Sequence, residues 1–216
     1  MKQWKNHFSI QSLKTYDTKP DLFKLVKQTP LAHSNLSEMG FKTSSQKIRN
    51  YSVTPELIQN YEDTRNFPAQ DSTSRLGPHL RFGTVSIRAL VKKATAEKNE
   101  IFWQELIWRE FFMQILWHFP HSVAQSFKPQ YDRIVWRNNE SEFNAWCEGK
   151  TGYPLVDAGM RQLNDTGFMH NRVRMLAGSF LCKHLLIDWR WGEAYFAEKL
   201  HDYEMASNVG NWQWVA

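Results

Sequence analysis

The sequence predicts an all-α fold. Three observations carry this: apolar residues from Thr54 onward recur at helical spacing, caps and stops punctuate them, and alternating β patterns are almost absent. Thr54-Pro55-Glu56 opens a helix with a capping hydroxyl and a proline at the first helical position. Residues 85–99 form an amphipathic segment with Val85, Ile87, Leu90 and Val91 facing inward. Residues 101–119 are apolar nearly all round, which predicts a central, buried helix. Its charged exceptions, Glu105, Arg109 and Glu110, must then be paired or face a cavity. Short helices follow over 139–147 and from Tyr153-Pro154 to about Asn164, with Gly167 as the stop. A long helix over 168–186 and another over 193–200 complete the set, separated by a turn at 188–192. Residues 1–50 are weakly patterned, with Lys19-Pro20 and Thr29-Pro30 interrupting short helices and loops. The organisation expected is a linker with peripheral helices over 1–54 and a helical domain over 55–216.

Composition narrows the class. The 216 residues are 42% hydrophobic and 23% charged, enough apolar material for a core in an ordinary soluble chain. No run of about 18 apolar residues suggests a membrane span, and the polar start Met1–His7 does not resemble a secretory signal. Cys147 and Cys182 offer neither a disulfide framework nor zinc-ligand spacing, so a reducing, cytoplasmic setting and no metal are expected. The net charge of +5 permits a polyanionic partner without demanding one. Ten tryptophans, clustered in the second half, fit an aromatic core, a stacking surface or an electron relay, and composition does not choose among them.

Four segments carry candidate chemistry. The polar run 71–78 offers hydroxyls, Arg75 and small residues that leave backbone N–H groups open, as a phosphate cradle requires; a capped turn before a helix is the alternative. On the apolar helix, Glu105 and Trp108 lie three apart on one face, where a carboxylate could bond a base and an indole stack on it; a core Trp beside a Glu105–Arg109 pair is the alternative. Asn171, Arg174 and Met175 share a helical face as amide, cation and soft wall. Residues 202–214 combine acidic groups, asparagines and two tryptophans without a convincing helical period, which suggests a loop gripping a heterocycle.

Together these segments resemble the catalytic domain of the photolyase and cryptochrome family. The matching stretches are Thr-Ser-Arg-Leu at 73–76, the Trp103–Glu110 motif, residues 148–158, Gly-Phe-Met-His-Asn-Arg-Val-Arg-Met at 167–175 and Asn-Trp-Gln-Trp at 211–214. The resemblance implies a multi-helix domain holding a U-shaped FAD and light-driven repair of cyclobutane pyrimidine dimers in DNA. Position by position, it implies that Tyr61, Thr73, Ser74, Arg75, Leu76 and Gly77 hold the phosphate and ribityl part. Asp202, Tyr203 and Glu204 would grip the ring and sugar; photolyases often carry Asp at the last of these positions. Asn208 would face the flavin N5, with Arg174 on the other side of the ring. Glu105, Trp108, Asn171 and Met175 match the dimer pocket, and Arg65, Arg109 and Arg172 match DNA contacts. Trp212, Trp189 and Trp136 match a three-step electron chain. The Met-His-Asn-Arg-Val-Arg-Met spelling is most similar to the class I dimer-repairing branch. The family's α/β antenna domain and the part beyond Trp-Gln-Trp find no match, so a truncated domain without an antenna pigment is expected. A monomer acting on DNA follows from the resemblance; a light sensor or an inactive fragment are the alternative readings.

Overall fold

The computed structural model describes residues 34–216 together with Leu13 and Lys24. The described residues contain α-helices and short 3₁₀ turns, among them 120–123 and 129–133, and no strand. Most of the weakly patterned stretch 1–50 lies outside the described residues. Its described part, 34–50, forms exposed turns rather than helix.

The helices are α1 (Pro55–Thr64), α2 (Gly77–Arg81), α3 (Ile87–Ala96), α4 (Glu100–His118), α5 (Glu140–Glu148), α6 (Pro154–Thr166), α7 (Asn171–Lys183), α8 (Trp189–Lys199) and α9 (Met205–Val215). Local chemistry explains their ends. The Thr54 hydroxyl accepts from Leu57 N–H at 3.3 Å, Asn99 Oδ1 accepts from Phe102 N–H at 2.9 Å, and Asn139 caps α5 in the same way. Gly149 and Gly167 end α5 and α6 in the left-handed conformation that glycine adopts without a Cβ penalty.

Three expected boundaries move. The helix expected over 168–186 starts only at Asn171, because His170 is extended and its Nδ1 accepts from Arg172 N–H. The helix expected from Glu193 starts four residues earlier, since the Asp188 carboxylate caps it through Arg190 N–H. The supposed loop 202–214 is helical from Met205, because both oxygens of Glu204 satisfy the free amides of Ala206 and Ser207. Its weak amphipathic pattern has a tertiary cause: α9 packs on α4, α7 and α8 at once, so no single stripe is apolar.

Two hydrophobic clusters result. One joins Val53, Ile58, Leu76, Leu90, Ala94, Phe102 and Leu106, with Val85, Ile87 and Val91 packed against it as the periodicity requires. The other is built by α5–α9 around Trp146, Met160, Leu163, Leu181 and Trp212. Helix α4 bridges them and is not buried throughout. Only Phe102, Leu106 and Ile107 are buried, and Trp117 is 79% exposed. Helices α1 and α3 cover its first turns, whereas its later turns pack chiefly on α9 and the 3₁₀ turn at 120–123 and line a cavity of about 660 Å³. Gly210 admits this crossing, because a Cβ there would enter the Phe112 ring. Cys147 and Cys182 are separate buried thiols, each pushed up to about 12 by burial, and therefore poor nucleophiles. No described helix is long and apolar enough to cross a membrane.

Candidate flavin and nucleic-acid site

The loop before α2 is held from both sides. Ser52 N–H donates to the Ser74 carbonyl, and Ser72 Oγ donates to the Thr64 carbonyl. Arg75 adopts φ 56°, an uncommon backbone state for a residue with a side chain. Its guanidinium donates twice to Asp71 and lies 3.7 Å over the Phe168 ring. The hydrogen bond from Arg75 is the chief reason that the Asp71 carboxyl sits below its ordinary range. Arg75 therefore ties the loop to the α6–α7 connection. Leu76 is buried and Thr73 and Ser74 are half-buried. Gly77 abuts Asp202: a Cβ on it would lie 2.6 Å from Asp202 Cβ and Oδ2.

Asp202 is the hinge of the site. Its Oδ2 accepts from Arg174 Nη2 at 2.9 Å, while Oδ1 is buried with no partner among the described residues. Arg174 is fixed a second time through Nε to the Met169 carbonyl. A cavity of about 90 Å³ opens on one side of this pair, walled by Asn171, Met175, Tyr203, Glu204 and Asn208. A larger one of about 460 Å³ lies on the other side, walled by Arg75, Gly77, Phe168 and His201. Burial and the nearby Arg75, Arg172 and Arg174 charges hold the His170 imidazole below its ordinary pKa, so it sits neutral among cations. Glu204 accepts from two amides and from the Ser207 hydroxyl, so its carboxylate is committed to capping α9. Asn208 donates to Glu193.

A third group gathers where α1 meets α4. Arg65 Nη1 donates to Glu105 Oε1 at 2.6 Å, so the partner of Glu105 is Arg65 and not Arg109. Arg109 makes no ion pair among the described residues. Tyr61 sits beside this pair, its phenol pushed up to about 12 by burial and then by the Glu105 charge. Arg172 reaches the same place, donating to Asn66 Oδ1 at 2.8 Å and to Met175 Sδ at 3.3 Å. Trp108 packs elsewhere, edge-on to Phe111 at 5.2 Å and to Trp214 at 6.4 Å, and is half-buried.

Of the tryptophans singled out, Trp212 and Trp189 are buried and Trp136 is half-buried. Trp136 and Trp189 line one cavity, and Arg190 lies over the Trp189 ring at 4.7 Å. The structure thus brings Arg174, Asp202, Tyr203, Glu204, Asn208, Asn171 and Met175 to one cavity, and Tyr61, Arg65, Glu105 and Arg172 to one patch. Three supporting residues escaped the sequence reading. Asp71 was visible in principle, four residues before Arg75. Phe168 and Glu193 had no local signal, since their partners come from distant segments.

The donor set suits an FAD: a buried carboxylate oxygen free for a ring N–H, a fixed guanidinium, and small residues at the loop–helix junction. Comparison with known proteins gives the same answer. The chain is 44% identical to the deoxyribodipyrimidine photo-lyase of Vibrio cholerae over 185 residues, covering 82% of this chain and 39% of that protein. It is 40% identical to the protein of that name from Agrobacterium fabrum over 222 residues, covering 100% and 44%. The chain thus spans about two fifths of the length of these curated relatives. The crystal structure of a bacterial class III photolyase from Agrobacterium tumefaciens superposes with a TM-score of 0.71 at 47% identity, over 74% of this chain and 35% of that one. A cryptochrome from Synechocystis gives 0.74 at 30% identity, over 97% and 53%. Residues 102–216 match the family model described as the FAD binding domain of DNA photolyase, and the chain belongs to that family.

Proposed function

We propose that this chain is the flavin-binding, dimer-repairing part of a DNA photolyase of the class I type, with 1–54 as linker and 55–216 as the helical unit. The observation that carries this reading is the Arg174–Asp202 pair, with its unpartnered buried oxygen, set against the cavity walled by Asn208. A bound FAD supplies a light-absorbing electron donor, which is chemistry no side chain here provides. The chain's own residues bind and orient. Asp202 Oδ1 accepts a ring N–H, and Arg174 keeps a fixed positive charge beside it. Thr73, Ser74, Leu76 and Gly77 give the phosphates a close backbone approach, and Arg75 braces that loop. Tyr203 and Glu204 line the ring's side of the cavity. Arg65, Arg109 and Arg172 neutralise DNA phosphates, a salt-dependent attraction. Glu105, Trp108, Asn171 and Met175 receive the extruded dimer, as enzymes acting on a base inside a duplex require. Trp136, Trp189 and Trp212 carry electrons inward from the surface. The protein acts as a cytoplasmic monomer on dimer-containing DNA.

The test has two stages. The purified chain is mixed with FAD and its absorbance in the flavin bands followed after gel filtration. The loaded protein, reduced beforehand, is then illuminated with an oligonucleotide carrying one cyclobutane thymine dimer. Light-dependent recovery of two thymines is expected. Retained FAD without repair would favour a light sensor, and no retained FAD would reject the reading for this chain.

A further inference from the structure

Arg190, in the first turn of α8, is held by three partners. Its Nε donates to the Ala124 carbonyl at 2.7 Å, Nη2 to Asp132 Oδ1 at 2.6 Å, and Nη1 to both oxygens of Asp188 at 3.2 Å. So fixed, the guanidinium lies 4.7 Å over the ring of its neighbour Trp189, which is 3% exposed. The same corner carries Trp136. It packs against the cluster that holds Trp189, lines the same cavity, and follows Val135, which is 94% exposed. Asn138 Oδ1 accepts from Asp188 N–H at 2.8 Å and so stitches the Trp136 stretch to the start of α8. Ser126 N–H donates to both Asp132 oxygens. These bonds first, and then the one from Arg190, hold the Asp132 carboxyl below its ordinary range, so Asp132 meets Arg190 as a carboxylate.

We propose that Arg190 is a positioning residue for electron flow, whose fixed charge disfavours a radical cation on Trp189 and so passes the vacancy on to Trp136. The inference rests on the flavin and tryptophan-chain reading given above. The step moves one electron. It leaves the Trp136 indole and fills the vacancy that light-excited oxidised flavin has made on Trp189 by way of Trp212, so Trp189 is restored and Trp136 is oxidised. The half-buried Trp136 then sheds its indole proton to water. A guanidinium over a neutral indole is attracted to the negative face of the ring, whereas over an oxidised indole it meets a like charge. Both effects make Trp189 harder to oxidise. Without Arg190, Asp132 and Asp188 would remain in this corner as unneutralised carboxylates and would hold the vacancy on Trp189. At 4.7 Å and an effective dielectric of about 20, one unit charge shifts such an equilibrium by more than tenfold.

The experiment uses the whole chain and two substitutions that break one ion pair from opposite ends, Arg190→Gln and Asp132→Asn. A merely structural bridge would make both act alike, whereas the charge on Arg190 makes them act in opposite senses. In the protein without flavin, Val135→Cys carries a ruthenium polypyridyl photo-oxidant next to Trp136; Cys147 and Cys182 are buried and stay unlabelled. After a flash with a sacrificial electron acceptor, transient absorption reads the ratio of the Trp189 radical cation to the deprotonated Trp136 radical, the two signals being assigned with Trp189→Phe and Trp136→Phe. That ratio is expected to rise at least tenfold in Arg190→Gln, to return toward the parent value in Arg190→Lys, and to fall in Asp132→Asn. In the FAD-loaded protein, refilling of Trp189 after a flash should slow at least tenfold in Arg190→Gln and quicken in Asp132→Asn. An unchanged ratio in an Arg190→Gln protein that melts like the parent would overturn the proposal, and so would a shift of the same sign in both variants. If Arg190→Gln does not fold, the sign of the Asp132→Asn shift decides. If the parent retains no FAD, the flavin reading fails by itself, and the flash measurement without flavin still decides the role of Arg190.

Discussion

Replacing Gly77 by alanine should weaken both the fold and the cofactor site, against the usual effect of such a change. Alanine for glycine in an ordinary helical backbone stabilises by about 0.4–1 kcal/mol, because the unfolded chain loses freedom. Gly77 opens α2 and faces Asp202, so its added Cβ would lie 2.6 Å from two Asp202 side-chain atoms. Relief requires Asp202 to move, and Asp202 holds Arg174 at 2.9 Å. Overpacking of this kind costs about 1–3 kcal/mol. The net expectation is a loss of about 1–2 kcal/mol. In a domain of this size that lowers the melting temperature by roughly 2–8 °C. Calorimetry of the flavin-free chain measures it, and the FAD content of the purified variant should fall in parallel. A double-mutant cycle with Asp202→Gly, which removes both clashing atoms, isolates the contact and should show coupling of about 1 kcal/mol or more. A melting temperature that rises, or two substitutions that simply add, would refute the close approach as the reason for glycine.

Arg75→Ala should lower FAD retention, because it removes the Asp71 and Phe168 anchors of the loop, whereas Arg88→Ala on an exposed turn of α3 should not; flavin absorbance per protein compares them. Trp136→Phe should slow photoreduction of oxidised flavin by an external donor yet leave repair by already reduced enzyme intact, read by transient absorption and product yield. Trp108→Ala should weaken binding to dimer-containing DNA by about 1–3 kcal/mol, the worth of one base stack, with binding to undamaged DNA nearly unchanged; an unchanged ratio would return Trp108 to the aromatic cluster of Phe111 and Trp214. Asp157 gives a pH dependence. Burial acts to raise its carboxyl, but hydrogen bonds from the Thr151 hydroxyl and the Thr151 and Gly152 amides outweigh burial and hold it below the usual range. A depressed folded pKa stabilises above the unfolded value near 3.9 and loses that contribution as pH falls through the folded value. Asp157→Asn should therefore flatten the acid limb of the stability curve below about pH 4 and, at neutral pH, cost about 1–3 kcal/mol for donors left unmatched.

What the sequence determined by itself was local. Thr54, Asn99 and Asn139 are capping residues wherever a helix follows, and Gly149 and Gly167 stop helices because left-handed backbone suits glycine. The all-α class, most helix positions and the segments bearing the site could be read from spacing and motif alone. Tertiary structure decided what depends on partners far apart in the chain. The helical state of 205–215 escaped detection because α9 is covered on three sides, which erases amphipathic periodicity. The all-round apolar pattern of α4 could not say that α1 and α3 cover only its first turns. Glu105 could choose Arg109 by sequence distance, yet it pairs with Arg65 across 40 residues, because α1 crosses α4 at that turn. Glu193 lies fifteen residues from Asn208 on a separate helix, beyond the reach of any local spacing rule; their contact exists because α8 packs on α9. Backbone geometry repeats over three or four residues and is legible there. The direction in which a carboxylate or an amide points is set by the neighbour that folding brings to it.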